Sequence, residues 1–249
     1  MQQVDQIVHA RWLLPVVPAD RVLDHHAIVL DAGRIVALVP STDVASRYRA
    51  ARESRLDGHL LMPGLVNAHG HAAMTLLRGL ADDHRLMDWL QQWIWPAESR
   101  WVGDDFVRTG TRVAIAEMLA SGTTCFSDMY FYPDVVAECV VESGMRAQIA
   151  FPVLDNPSAW AADADEYLAR GLETRDRFKA NPRLAFAFGP HAPYTNSDRT
   201  LARIGVLSAE LDAPVQIHLH ETADEVAESI SRHGVYNSRS GENKRAQRG

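Results

Sequence analysis

From residue 65 onward the sequence alternates between short apolar runs and longer amphipathic segments, and this alternation constrains the fold more than any other feature. Apolar runs begin near Leu65, Thr123, Ala147, Leu184 and Val215. Between them, Asp104–Ala120 carries apolar residues at helical spacing and stops at Ser121-Gly122. Asp134–Ser143 stops at Gly144, Ala164–Lys179 at Asn181-Pro182, Ser197–Leu211 before Pro214, and Thr222–His233 at Gly234. Glycine accepts the left-handed backbone that ends a helix, and proline cannot continue one. This rhythm predicts a parallel sheet covered by helices, because parallel neighbours need a crossover long enough to hold a helix. Residues 65–235 accommodate five such units, whereas a closed eight-unit barrel takes about 250 residues. The pattern alone therefore fits either an open five-stranded sheet or part of a barrel.

Residues 1–64 follow a different grammar. The runs QIVHARWLL, HAIVLDAGRIVALV and HLLMPGLV are short, β-branched and broken by turn signals such as Asp31-Ala32-Gly33, which predicts strands. Only Ser41–Ala51 offers a short helical alternative. At the other end, residues 236–249, YNSRSGENKRAQRG, hold four basic residues, one acidic residue and a single aliphatic one, Ala246. Such a stretch buries too little apolar surface to fold and reads as a disordered tail.

The remaining composition excludes several classes. Hydrophobic residues make up 47% and charged residues 23% of the 249, as in ordinary globular chains. The formal charge of −7 argues against a dedicated nucleic-acid binder, which carries a basic surface. No uncharged apolar run reaches the ~18 residues of a membrane span. Two cysteines, Cys125 and Cys139, both in apolar stretches, cannot form a disulfide framework, so a reducing cytoplasm is the expected compartment.

Chemistry concentrates where the apolar runs end. Asn67-Ala68-His69-Gly70-His71 follows the run Leu60–Val66. In a strand, residues i and i+2 share a face, so His69 and His71 are predicted to project together, and imidazoles at this spacing can share one zinc ion. Ile217-His218-Leu219-His220-Glu221 ends the last run. Either His218 or His220 can supply a further ligand, and Glu221 stands where a general base is needed; a capping glutamate beside surface histidines is the plainer alternative. His191 lies between Pro190 and Pro193 after LAFAF, and Asp128 ends the Thr123 run. Four of the five run ends thus carry a histidine or an acid, and in parallel β/α folds ligands bind at the carboxyl ends of strands. The segment WLQQWIWPAE at 89–98 gathers three of the six tryptophans; it reads either as an active-site cover with Glu98 as a polar contact or as a small satellite core.

Taken together, PGLVNAHGHAAMTLLRG at 63–79, WPAE at 95–98, SGTTCFSDMYF at 121–131, FGPHAPYT at 188–195 and IHLHET at 217–222 resemble the amidohydrolase superfamily. Within it they are most similar to the subgroup of 5-methylthioadenosine/S-adenosylhomocysteine deaminases and triazine (TRZ/ATZ) hydrolases. The resemblance covers about residues 5–235 and implies a (β/α)8 TIM-type barrel with a small β-sandwich domain. Residues 1–64 would form the N-terminal half of that composite sandwich and residues 65–235 the first five barrel units. It implies that His69, His71 and His218 bind one divalent metal, zinc first, with iron or manganese as alternatives. Glu221 would be the proton shuttle, Glu98 would accept hydrogen bonds from a ribose diol, and His191 would contact the purine. Gly70 stands where many members have threonine, a departure expected to matter little.

The activity so implied is hydrolytic deamination of an adenosine-type nucleoside, with water attacking the amino-bearing ring carbon and ammonia leaving. A triazine or other aminated-heterocycle hydrolase is the alternative within the enzyme class. The expected partner is a small nucleoside or heterocycle, with no nucleic acid or membrane, and homo-oligomerisation is left open. Family members continue for three more units, which add a histidine and a metal-binding aspartate, and nothing after Gly234 resembles either. The expectation is a C-terminally truncated copy, impaired or inactive, or a non-catalytic fragment.

Overall fold

The structure is a computed structural model that describes residues 1–234; the stretch 236–249, expected to be a disordered tail, lies outside the described residues. The chain divides into two compact units, Met1–Gly64 and the residues from Leu65 onward.

The first unit is one four-stranded sheet built from β1 (Gln2–Leu13), β2 (Leu23–Asp31), β3 (Arg34–Pro40) and β4 (Tyr48–Leu61), in the order β3-β2-β1-β4. β1–β2 and β2–β3 are antiparallel and β1–β4 is parallel. Ala32 and Gly33, at φ of 48° and 73°, make the tight β2–β3 turn, whose two central residues need the left-handed region. Val4, Ile7, Ala27, Val29, Val39 and Val44 pack as the core of this unit. The helix expected at Ser41–Ala51 is reduced to the single turn α1 (Val44–Arg47), and Tyr48 already begins β4. Arg49, Arg52, Glu53, Arg55 and Asp57 give β4 no alternating apolar face. As an edge strand it tolerates such charges, which also deter pairing with other chains.

The second unit carries a parallel sheet in the order β5-β6-β7-β8, from β5 (Leu65–Asn67), β6 (Thr123–Asp128), β7 (Arg146–Val153) and β8 (Leu184–Pro190). Between β5 and β6 run a 3-10 helix (Ala72–Leu77), α2 (Leu86–Trp89), a π turn (Leu90–Ile94), α3 (Trp95–Trp101) and α4 (Asp104–Ala120). The later crossovers and the last helix are α5 (Pro133–Ser143), α6 (Ala164–Phe178), α7 (Asp198–Leu211) and α8 (Ala223–His233). The side chains of Asp163, Ser197 and Thr222 cap α6, α7 and α8 by accepting from the backbone N–H three residues on. Gly144 and Gly234 end α5 and α8 in the left-handed conformation. Two apolar clusters clamp the helices to the sheet. One surrounds Val107, Ile115, Phe126, Val136 and Ile149, and the other Phe151, Tyr167, Leu168, Phe188 and Ile204.

The expected fifth strand departs from the sequence reading. From Val215 the chain makes only an isolated parallel bridge to Phe188. Phe188 N donates to Pro214 O and Gln216 N to Phe188 O, both at 2.9 Å, but His218 N then donates to His191 O at 3.1 Å. The register slips at Pro190, which has no N–H to donate to the ladder. Among the described residues the sheet does not close, and β5 and this segment are its two ends.

Gly110 fixes the seat of the 3-10 helix on α4, because a Cβ there would lie 2.3 Å from Ala73 O. Gly110→Ala is expected to push the two apart, at the cost of about 1–3 kcal/mol typical of overpacking, and to lower the thermal unfolding midpoint. An unchanged midpoint would contradict this packing.

Candidate active site

β5 ends at Asn67, two residues before His69, so strand alternation does not aim the histidine pair as expected. A bonded loop does so instead. His69 N donates to Asn67 Oδ1 at 3.3 Å, and His71 Nδ1 bonds Met129 O at 2.7 Å. The outcome is nevertheless convergence: His69 Nε2 lies 3.3 Å from His71 Nε2 and 3.1 Å from His218 Nε2. The three rings sit 4.9–5.2 Å apart between centroids. Among the described residues these three form a cluster with metal-ligand spacing.

The hydrogen bonds fix what this cluster can do. A carbonyl oxygen only accepts, so His71 donates Nδ1–H to Met129 O and His218 donates Nδ1–H to His191 O at 2.8 Å. With Nδ1 donating in both, each ring turns its Nε2 toward the other, and His69 can donate to only one of them. Burial holds His71 down to about 4, aided by the neighbouring imidazoles and offset by the Met129 bond, so protonation does not relieve the crowding at neutral pH. Converging lone pairs on rings tethered through their other nitrogen are the donor set of a cation site. Two nitrogens about 2.0–2.1 Å from a tetrahedral ion stand roughly 3.3 Å apart, which matches the separations here. The residues present fit a zinc-type ion.

The sequence left His218 and His220 as alternatives, and the structure brings His218 to His69 and His71. His220 adopts φ of +59°, so alternation ends there and Glu221 departs from the strand direction. The Glu225 carboxylate accepts from His220 N and Glu221 N, both at 2.9 Å, which fixes this turn.

A cavity of about 110 Å³ adjoins the cluster, lined by His71, His218, His191, Glu98 and Glu221 together with Trp89 and Trp95. The tryptophan segment is thus partly a wall of this cavity and partly core: Leu90 and Ile94 are buried, whereas Trp93 is exposed. Tyr130 donates to Glu98 Oε1 at 2.8 Å. Burial pushes Glu98 up to about 7, against the pull of that hydrogen bond. The His191 ring lies 5.1 Å from that of His218 between centroids, tilted by 57°, and its Nδ1 is 3.2 Å from Thr195 Oγ1. Burial, with His218 and His71 nearby, lowers it to about 3, so it is neutral. Tyr194 donates to Glu221 Oε2 at 2.9 Å. Asp128, grouped with the site in the sequence, is buried beneath it and accepts from Ala72 N instead of lining the cavity.

Tyr130, Tyr194 and Glu225 were not singled out in the sequence. Their signals were present, since each lies within four residues of a run-end acid or histidine. An aromatic or capping residue there has a structural explanation ready to hand, and only the distances reveal the contact.

Comparison with known proteins places this geometry in context. The model of the amidohydrolase family matches residues 60–247, which includes most of the stretch 236–249 that the sequence reading set outside the family. A Saccharophagus degradans protein named 5-methylthioadenosine/S-adenosylhomocysteine deaminase is 54% identical over 231 residues, 93% of this chain and 52% of the relative. The chain spans about half the length of the curated relatives it matches. Among solved structures, an adenosine deaminase from Xanthomonas campestris with bound zinc aligns at a TM-score of 0.93 and 45% identity, covering 97% of this chain and 55% of that one. An atrazine chlorohydrolase from Arthrobacter aurescens, complexed with zinc, aligns at 0.85 and 19% identity, covering 96% and 58%; at that identity the likeness concerns the fold alone. The family match over residues 60–247, most of the chain, establishes that this chain belongs to the amidohydrolase family.

Proposed function

We propose that the protein is a metal-dependent hydrolase that deaminates an adenosine-type nucleoside of the 5-methylthioadenosine or S-adenosylhomocysteine class. The observation that carries this reading is the triangle of imidazole Nε2 atoms opening beside a cavity that also holds Glu98, His191 and Glu221. The deaminase names of the relatives and the zinc of the adenosine deaminase structure support it. On the same reading, the parallel sheet is the first part of a (β/α)8 barrel with five units in residues 65–235. Residues 1–64 are the N-terminal half of a β-sandwich.

His69, His71 and His218 would hold the ion through Nε2, with zinc the first choice for a set of neutral imidazoles. When bound, such an ion supplies a Lewis acid that acidifies water at the site. Glu221 is tied through Oε2 to Tyr194, leaving Oε1 to take a proton from the attacking water. It delivers that proton to the purine ring nitrogen, which keeps it in the product. The new bond joins water oxygen to the amino-bearing carbon; the second water proton, left on that hydroxyl, passes to the amine, the carbon–nitrogen bond breaks, and ammonia leaves a ring carbonyl behind. His191, neutral, presents its ring to the purine edge. Glu98, also in the cavity lining, meets the ribose diol, and the tryptophans offer apolar surface to the rest of the nucleoside.

The test combines metal analysis with an ammonia assay on 5-methylthioadenosine. His218→Ala is expected to lose zinc at concentrations that saturate the wild-type chain. Glu221→Gln is expected to keep its zinc and release no ammonia, since the amide cannot carry the proton. Ammonia release by Glu221→Gln, or full zinc retention by His218→Ala, would contradict the assignment.

Glu98 separates a nucleoside from a small heterocycle. In zinc-loaded protein at pH 8 or above, where the Glu98 carboxyl is ionised, Glu98→Gln is expected to weaken 5-methylthioadenosine binding about tenfold, the loss of one hydrogen bond to a charged group. Binding of a triazine should change less than twofold. Equal effects on both ligands would favour the heterocycle reading.

Glu98 also carries a pH signature. Its carboxyl titrates at about 7 in the fold, against 4.5 ordinarily, so between these values the folded chain binds a proton that the unfolded chain does not. Stability from this group is full below pH 4.5 and is lost as pH rises toward 7, by up to about 3 kcal/mol. Urea unfolding of Glu98→Gln should therefore lack that decline relative to wild type. Parallel stability–pH curves for the two proteins would contradict the burial of an ionisable Glu98.

A further inference from the structure

We propose that Asp128 is a positioning residue for the metal centre, holding His71 in place through the backbone of Ala72; the inference rests on the metal reading above. Three consecutive residues, Gly70, His71 and Ala72, are pinned by two consecutive residues at the end of β6. Met129 N donates to Gly70 O at 3.1 Å, His71 Nδ1 donates to Met129 O at 2.7 Å, and Ala72 N donates to Asp128 Oδ1 at 2.5 Å. The segments are in close contact as well. A Cβ on Gly70 would lie 3.3 Å from Ser127 O, so any larger residue here would have to displace the clamp by a few tenths of an ångström.

Of the three bonds, the one from Asp128 is the only one made by a side chain that does not itself face the metal site. Asp128 is 1% exposed, and its Oδ2 is buried with no hydrogen-bond partner among the described residues. A buried carboxyl with half its acceptors unused is costly. Leucine or methionine would fill the same space without that cost, yet neither could accept from Ala72 N. The bond matters because Ala72 opens the 3-10 helix (Ala72–Leu77) directly after His71. It fixes where the chain turns, and so where the imidazole of His71 meets those of His69 and His218. Residues that orient metal ligands in this way typically account for 10–100-fold in metal affinity.

The experiment measures Zn2+ affinity of the full chain by competition with a chromophoric chelator, and the visible d–d spectrum of the Co2+-loaded chain, for wild type, Asp128→Asn and Asp128→Ala. Asparagine keeps an oxygen in reach of Ala72 N, and alanine does not. Asp128→Ala is expected to bind zinc at least tenfold more weakly and to shift or broaden the cobalt bands. Asp128→Asn should stay within about threefold of wild type with an unchanged spectrum. If the alanine variant does not fold, Asp128→Ser, too short to reach Ala72 N, takes its place with the same expectation. Zinc affinity and cobalt spectrum unchanged in the alanine or serine variant would overturn the inference while leaving the metal reading intact, as would an asparagine variant as impaired as alanine. A wild-type chain that binds no zinc would overturn both.

Discussion

The site depends on two backbone carbonyls. Met129 O and His191 O each accept the Nδ1 proton of a histidine, His71 and His218, and each thereby turns an Nε2 lone pair toward the same point. Neither carbonyl carries sequence information of its own, and both lie at strand ends. β6 ends at Asp128, one residue before Met129, and β8 ends at Pro190, one residue before His191. A parallel sheet stops its strands at one level, so the residues just beyond them share a rim. Ligands at the carboxyl ends of parallel strands are a general outcome of this geometry. Here it sets a ligand's tautomer as well as its position.

The walls of the cavity apply opposite pressures to their acids and bases. Burial keeps His71 and His191 neutral and therefore able to present lone pairs. The same burial raises Glu98 toward neutrality. Tyr130 and Tyr194 then hold Glu98 and Glu221 each by one oxygen, which leaves the other oxygen of each carboxyl for a ligand. Tyr130 follows β6 and Tyr194 follows β8. The arrangement thus pairs one carboxyl with each strand end that flanks the site.

Much of this was legible in the sequence, because the signals were spacings and stop residues. Asp104–Ala120 stands as a helix over the range its apolar spacing predicts, and Ser197 and Thr222 cap the helices they were read as beginning. The convergence of His69 and His71 was legible for an imperfect reason: the pair lies past the strand, and the loop bonds at Asn67 and Met129 replace alternation. β4 was illegible because its pairing with β1 is made by backbone, and its side chains are those of a solvated edge. The fifth strand was overread. An apolar run looks the same whether or not a neighbour completes its ladder, and Pro190 breaks the register on the side where one exists. Asp128 was noticed as a strand-end acid, but only its burial and its bond to Ala72 reveal that it works from beneath the site.

The central claim is that three imidazoles share one ion, and X-ray absorption at the zinc edge of the zinc-loaded chain tests it most directly. The account predicts about one zinc per chain, a nitrogen/oxygen shell at about 2.0–2.1 Å, and outer-shell scattering that fits three imidazoles. A shell of oxygens without imidazole scattering, a sulfur ligand, or no bound zinc would contradict it.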